Sequence, residues 1–291
     1  MTIQIRPMQQ EDVERCGGIL FEAFRGIAER HNFRPDFPMP GAAMQLMEML
    51  FGNEGVFSVV AEQDGEVIGS NHLLEYDAIR AVGPITVDPQ AQARGAGRLL
   101  MEAVIERGKK EKPAAGIRLV QDAFNTTSMS LYTSLGFDIR EPLALMEGEL
   151  HGDVPADVEV RAIQEEDFAS CAELCRTVHG FDRLNELKNT APFLTSFVAL
   201  RDGRITAYAS GPAFWAVNHA VAETESDLCA LLTGAANLLP EHHLSFLLPT
   251  RQSGLFRWCL KKGLRIQKPL SLMTMGEYQE PRGSYLPSVG Y

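Results

Sequence analysis

Gly95 and Gly97 stand where a helix-forming stretch begins, directly after a short loop that holds Gln92 and Arg94. A helix start presents backbone N–H groups without intrahelical partners and carries partial positive charge. Residues lacking side chains let an anion approach those groups closely. The chemistry on offer is the binding of a phosphate-bearing ligand by main-chain amides from about Gln92 to Arg98. Arg94 and Arg98 flank the loop and either add donors or stand as ordinary surface arginines.

The elements that must position these glycines are legible on both sides. Upstream, Ala81–Val87 reads as a buried strand, rich in β-branched residues with a breaker at its centre. Downstream, Ala96, Leu99, Leu100, Ala103 and Val104 recur at helical spacing and make one apolar face. Two other glycine motifs are excluded. No Gly-x-x-x-x-Gly-Lys-[Ser/Thr] string occurs, and the third glycine of a dinucleotide fingerprint is replaced by Leu100. What remains is Gln92-x-x-Gly95-x-Gly97, preceded by Val87-x-Pro89 and followed by Leu99-Leu100. A second segment runs from the strand candidate Ile117–Val120 through Asn125 to Leu131-Tyr132-x-x-Leu135-Gly136-Phe137. Gly136 is a natural helix stop, because the residue after a helix commonly needs positive φ.

In their order and spacing, the two segments resemble the acetyl-CoA signature and the closing landmark of the GNAT N-acetyltransferase superfamily. The resemblance implies an α/β fold with a mixed (α+β) sheet, and direct transfer of an acetyl group from acetyl-CoA to a primary amine, with no metal. It implies that Ile85, Thr86 and Val87 line the pantetheine arm, and that a backbone N–H near Val87 meets the thioester carbonyl. It implies that Gln92, Ala93, Arg94, Gly95, Ala96, Gly97 and Arg98 surround the diphosphate, and that Asn125, Ser128 and Tyr132 complete the cofactor site. Tyr132 matches the acid that protonates the leaving thiolate; a phenol with a reference pKa of about 10 keeps its proton at neutral pH. An alkyl ammonium must lose a proton before it attacks. His72, Glu75 and Asp77 are the nearest titratable candidates in sequence, Glu75 first among them, with a chain of waters as the alternative. The loop His31–Pro40, with three prolines and two phenylalanines, is expected either at the acceptor pocket or packed on the second domain.

The chain has 291 residues, 45% hydrophobic and 22% charged, enough for two domains. A net charge of −11 argues against nucleic acid as a partner. No apolar run reaches the roughly 18 residues of a membrane span. Five scattered cysteines without a Cys-x-x-Cys pair suit a reducing, cytoplasmic setting, and the seven histidines show no zinc spacing.

The order of predicted elements is βααβββαβαβ, with strands at 2–7, 56–63, 66–76, 80–87, 116–122 and 138–149 and helices at 10–29, 41–52, 95–111 and 126–135. Asp64-Gly65 joins two of the strands as a hairpin. After a linker near 147–155 the chain starts again. Ile5–Asp12 matches Val160–Asp167 at a shift of 155, and Gly136, Pro142, Leu143, Leu145 and Met146 match Gly263, Pro269, Leu270, Leu272 and Met273 at a shift of 127. Two tandem GNAT-like domains are expected, at residues 1–149 and 156–291. The second lacks the cofactor motif, and acidic residues crowd its expected helix start near Thr224. The expected function is N-acetyl transfer to a small-molecule or amino-acid-like amine. The alternatives are a non-catalytic acyl-CoA-binding regulator and a protein or peptide acetyltransferase. A homodimer is left open.

Overall fold

The computed structural model describes residues 2–92, 95–111 and 114–290. The chain divides into two compact units: residues 1–119 with 124–137, and residues 120–123 with 138–291.

The first unit runs β1 (Ile3–Pro7), α1 (Val13–Arg30), α2 (Pro40–Phe51), β2 (Val56–Gln63), β3 (Glu66–Leu74), β4 (Ile79–Val82), β5 (Thr86–Val87), α3 (Ala96–Glu106), β6 (Gly116–Asp122) and α4 (Thr126–Ser134). Strand order is β1-β2-β3-β4-β6, with β5 also on β3; β4 and β6 run parallel and the other pairs antiparallel. Asp64 and Gly65 both take positive φ, as the expected hairpin requires. Alternation along β3 divides the faces. Asn71 donates to Leu100 O of α3, whereas Ser70 meets Cys16 of α1. On the α1–α2 face, Val13, Cys16, Ile19, Leu20, Ala43, Met47 and Val60 form the core. The strand expected at 80–87 is two strands, interrupted at Gly83-Pro84, because Pro84 has no N–H to give a ladder. The helix expected from residue 10 begins at Val13, after one tight turn.

The second unit contains β7 (Asp138–Glu149), β8 (Glu159–Ala162), α5 (Phe168–His179), α6 (Leu184–Thr190), β9 (Phe197–Arg201), β10 (Arg204–Ala209), β11 (Ala220–Ala222), α7 (Glu225–Leu238), β12 (His243–Pro249), α8 (Ser253–Lys261), β13 (Arg265–Gly276) and β14 (Ser284–Leu286). One sheet has the order β14-β11-β10-β9-β8. In the other, β7 lies between β12, which pairs with its residues 143–149, and β13, which pairs with 138–147, and β13 lies beside the end of β6. The sequence repeat and the compact units therefore part company at β7. Its inward residues Leu143 and Leu145 are buried with Leu247, Leu270 and Leu272, all from the second repeat. Helix α7 is buried on several sides, with Leu228, Leu231, Leu232, Ala235 and Ala236 in one core with Phe246 and Leu255.

The repeat is visible in side-chain detail. Arg6 donates twice to Asp12 (2.6 and 2.9 Å), whose carboxylate also accepts the Gln9 N–H at 2.8 Å. Arg161, Asp167 and Gln164 repeat all three contacts at the same distances. In both places the guanidinium hydrogen bonds hold the carboxyl below its ordinary pKa. A carboxyl depressed by folding stabilises the fold above its unfolded pKa of about 4, and that contribution is lost as pH falls through the lower, folded value. Asp12→Asn is expected to cost about 1–3 kcal/mol at pH 7. The gap from wild type should close as pH is lowered below that range, which urea unfolding across a pH series measures.

Candidate active site

β5 and the start of α3 make the corner at which the glycine motif lies. Gly69 opposes Val87 in the sheet; a Cβ there would stand 2.5 Å from Thr86 O and 3.2 Å from the Leu100 side chain. Only glycine lets β5 lie on β3 beneath α3, a requirement that nothing in the local pattern of β3 announced. Gly95 is the N-cap residue of α3 at φ +91°, a conformation costly for other residues. Among the described residues no side chain caps this helix start. Gly97 differs, since a Cβ there would meet only Leu131 at 3.6 Å and Val87 at 3.8 Å, ordinary contacts. Protein packing does not require this glycine, so its bareness leaves space outside the helix.

Thr86 is buried with its hydroxyl 3.5 Å from that of Ser70, while Ile85 and Val87 are half-buried. Among the described residues β5 pairs only with β3, so its other edge has no strand partner. Gln92 is exposed and makes a long 3.4 Å contact to Val87 O; Ala96 is buried. Arg98 ties α3 to α4 through Ser134 Oγ at 2.7 Å and lies 3.7 Å from Glu102. Ala93 and Arg94 lie outside the described residues. An uncapped helix start, a glycine with open space beside it and a strand edge awaiting a partner fit the diphosphate and amide-bearing arm of an acyl-CoA.

α4 supplies the other wall. Asn125 caps it, its Oδ1 accepting the Ser128 N–H at 3.2 Å. Tyr132, buried on α4, sets its ring edge-on to Phe137 with centroids 6.4 Å apart. One residue before the cap, Phe124 stacks on Phe33 (centroids 4.4 Å, 13° between planes) and lies 5.1 Å from the His31 ring. The loop expected at the acceptor pocket is therefore pinned to the β6–α4 corner. The sequence offered no signal for Phe124, because a ring stack spanning some ninety residues has no local periodicity.

Glu75 is not brought to this corner. It follows β3 on the α3 face, where Arg107 donates to both carboxylate oxygens at 3.1 and 3.2 Å. Arg107 stands twelve residues from Gly95, about 18 Å along the helix at 1.5 Å per residue. The face that Glu75 shares with Asn71 of β3 is packed against α3 and not against α1. His72 faces the other way, fully buried, with Nδ1 2.8 Å from Ser58 Oγ. Burial pushes its pKa down to about 3, so the ring is neutral across the physiological range. Asp77 lies in the turn between β3 and β4.

In the second unit the corresponding helix start is filled from within. Thr224 Oγ1 caps α7 by accepting the Asp227 N–H at 3.1 Å, and buried Asp227 accepts from Arg201 Nε at 2.6 Å. A carboxylate and a hydroxyl stand where a diphosphate would need bare amides. Among the described residues no helix is long and apolar enough to cross a membrane, and no three His, Cys, Asp or Glu side chains group to hold a metal ion.

Residues 22–137 match the Acetyltransferase (GNAT) family. No curated protein matches the chain. Among solved structures, an acetyltransferase candidate from Pyrococcus horikoshii is similar over 97% of this chain and 94% of its own, at TM-score 0.71 and 16% identity. A GCN5-related N-acetyltransferase from Sphaerobacter thermophilus is similar over 96% of both chains, at TM-score 0.63 and 14% identity. A tandem GNAT protein from the clavulanic acid biosynthesis pathway is similar over 96% of this chain and 100% of its own, at TM-score 0.58 and 12% identity. At these identities the likeness is one of fold. The family's reaction is acyl transfer from acetyl-CoA, and its sequence match falls on the half that holds the uncapped glycine corner. Residues 22–137 hold an acetyltransferase domain of the GNAT family, and the chain as a whole shares the fold of a tandem GNAT protein.

Proposed function

We propose that the first half transfers the acetyl group of acetyl-CoA to a primary amine of a small or amino-acid-like acceptor. The observation that carries this reading is the start of α3, uncapped among the described residues, beside an edge of β5 with no strand partner among them, with Leu131 and Ser134 of α4 against the helix start. Acetyl-CoA supplies the activated acyl group as a thioester. The amides from Gly95 to Arg98 hold its diphosphate. The edge Ile85–Val87 pairs with the amides of its arm and offers an N–H to the carbonyl oxygen as negative charge develops there. The amine nitrogen forms the new bond to the carbonyl carbon, the C–S bond breaks, Tyr132 gives its proton to the departing sulfur, and the second proton shed by the acylated nitrogen restores the phenol through water. Its buried place on α4 gives the phenol a fixed aim. Glu75, held by Arg107, takes no part in this scheme, and the ammonium proton leaves through water. Phe33, Phe124 and His31 form one wall of the acceptor side.

Gly97→Ala should leave the melting temperature unchanged, because the added methyl makes only ordinary contacts within the protein. It should weaken acetyl-CoA binding by about tenfold or more, or about 1.4 kcal/mol, in calorimetry. Tyr132→Phe should keep acetyl-CoA affinity and lower kcat by about a hundredfold or more, read as free-thiol release against a panel of amines. Thiol release by wild type across that panel supports transfer; calorimetric binding with no release from any amine, peptide N-terminus or lysine removes the enzymatic reading and leaves an acyl-CoA-binding protein.

A further inference from the structure

Counted from their hairpin glycines, the two halves align strand by strand. Gly69 lies four residues beyond Gly65, and Ala207 four beyond Gly203. Both sit where register with the preceding strand shifts. Across the sheet Gly69 faces Val87 and Ser70 faces Thr86, while Ala207 faces Ala222 and Tyr208 faces Val221. β11 is therefore the counterpart of Ile85–Val87. In the first half, the outer edge of that strand has no partner among the described residues. In the second half it is taken by β14, which pairs Leu286, Tyr285 and Ser284 with Ala220, Val221 and Ala222 and also packs against β12.

A second marker agrees. Gln252 precedes α8 as Asn125 precedes α4, at the same shift of 127. Its Nε2 donates to Tyr285 O at 2.6 Å, and its Oε1 accepts from Tyr285 N at 3.2 Å and from Ser284 Oγ at 2.7 Å. The side chain at the position of a cofactor contact thus reads both main-chain polar groups of one residue in β14. Farther along, fully buried Ser288 accepts from Arg183 Nη2 at 2.8 Å, and Val289 N donates to Ala216 O at 2.9 Å. Main-chain pairing supplies affinity, and enclosed side chains such as Tyr285 and Leu286 supply selection, as in other modes of strand addition.

We propose that the second half holds a peptide-strand cleft between β11 and β12, and that residues 283–290 of this chain are its resident ligand, lying where the first half takes the arm of acyl-CoA. The comparison with the first half rests on the function proposed above; the peptide binding does not. One acyl-CoA per chain follows.

The test uses the full chain with a protease site inserted after Glu280, cut once folded. The severed segment should stay bound through gel filtration and exchange with a fluorescent synthetic peptide of residues 283–291, raising its anisotropy saturably. The uncut chain should take up none. Gln252→Ala in the cut chain should weaken the peptide by about tenfold, or about 1.4 kcal/mol. A peptide N-methylated at Tyr285 should lose as much on unaltered protein, which keeps the test decisive if the variant does not fold. Separate elution of the severed segment from the unaltered protein, equal uptake by the uncut chain, or an N-methylated peptide that binds as tightly would overturn the proposal. So would two acetyl-CoA molecules bound per intact chain in calorimetry. Failure to bind any acetyl-CoA would sink the proposed function and leave the peptide result standing.

Discussion

The bare Cα of Gly69 sets the approach of β5 to β3, and the candidate site is built on that approach. With Thr86 O only 2.5 Å from where a Cβ would stand, and Leu100 above it, strand and helix close on one point. That contact holds the outer edge of β5 and the first turn of α3 side by side. A diphosphate and an amide-bearing arm belong to one ligand, so their two binding surfaces must stand at a set separation. Loops alone would hold that separation poorly, whereas a packed strand–helix corner holds it through steric contact.

The second half keeps the scaffold and closes its helix start from within. Its first helix repeats the Arg–Asp–Gln clamp contact for contact. At the start of α7, however, the chain supplies its own anion. Asp227 is both hydrogen-bonded and ion-paired, and the strand edge beside it is occupied. In the second half the polar groups of this corner are satisfied internally, as buried polar groups generally require.

β7 and β13 show how two repeats can share one body. The sequences after Gly136 and Gly263 match, and each strand carries one buried charge at the same repeat position, Glu141 in one and Lys268 in the other. Glu141 is met by Arg251, and Lys268 by Asp122 at 2.7 Å. Charges of opposite sign at equivalent positions make the strands non-interchangeable, since a swapped arrangement would set like charges together. A sequence repeat displays the similarity of these strands and conceals their exchange.

The element order, the Asp64-Gly65 hairpin, the apolar face of α3, the tandem repeat and the glycine corner were all legible in the chain. Each is a local matter of spacing, of positive φ or of self-similarity, which neighbouring residues settle among themselves. The start of α3 without acidic residues and the acid-rich start of α7 after Thr224 were readable for the same reason. The tertiary structure decided the rest. It gave Glu75 to Arg107 on the α3 face, because alternation tells that two residues point apart and not what lies on either side. It set Phe33 against Phe124, placed β7 among strands of the second repeat, and laid β14 on β11. Those pairings join residues as far apart as Asp138 and Thr274, and only the packed chain selects them.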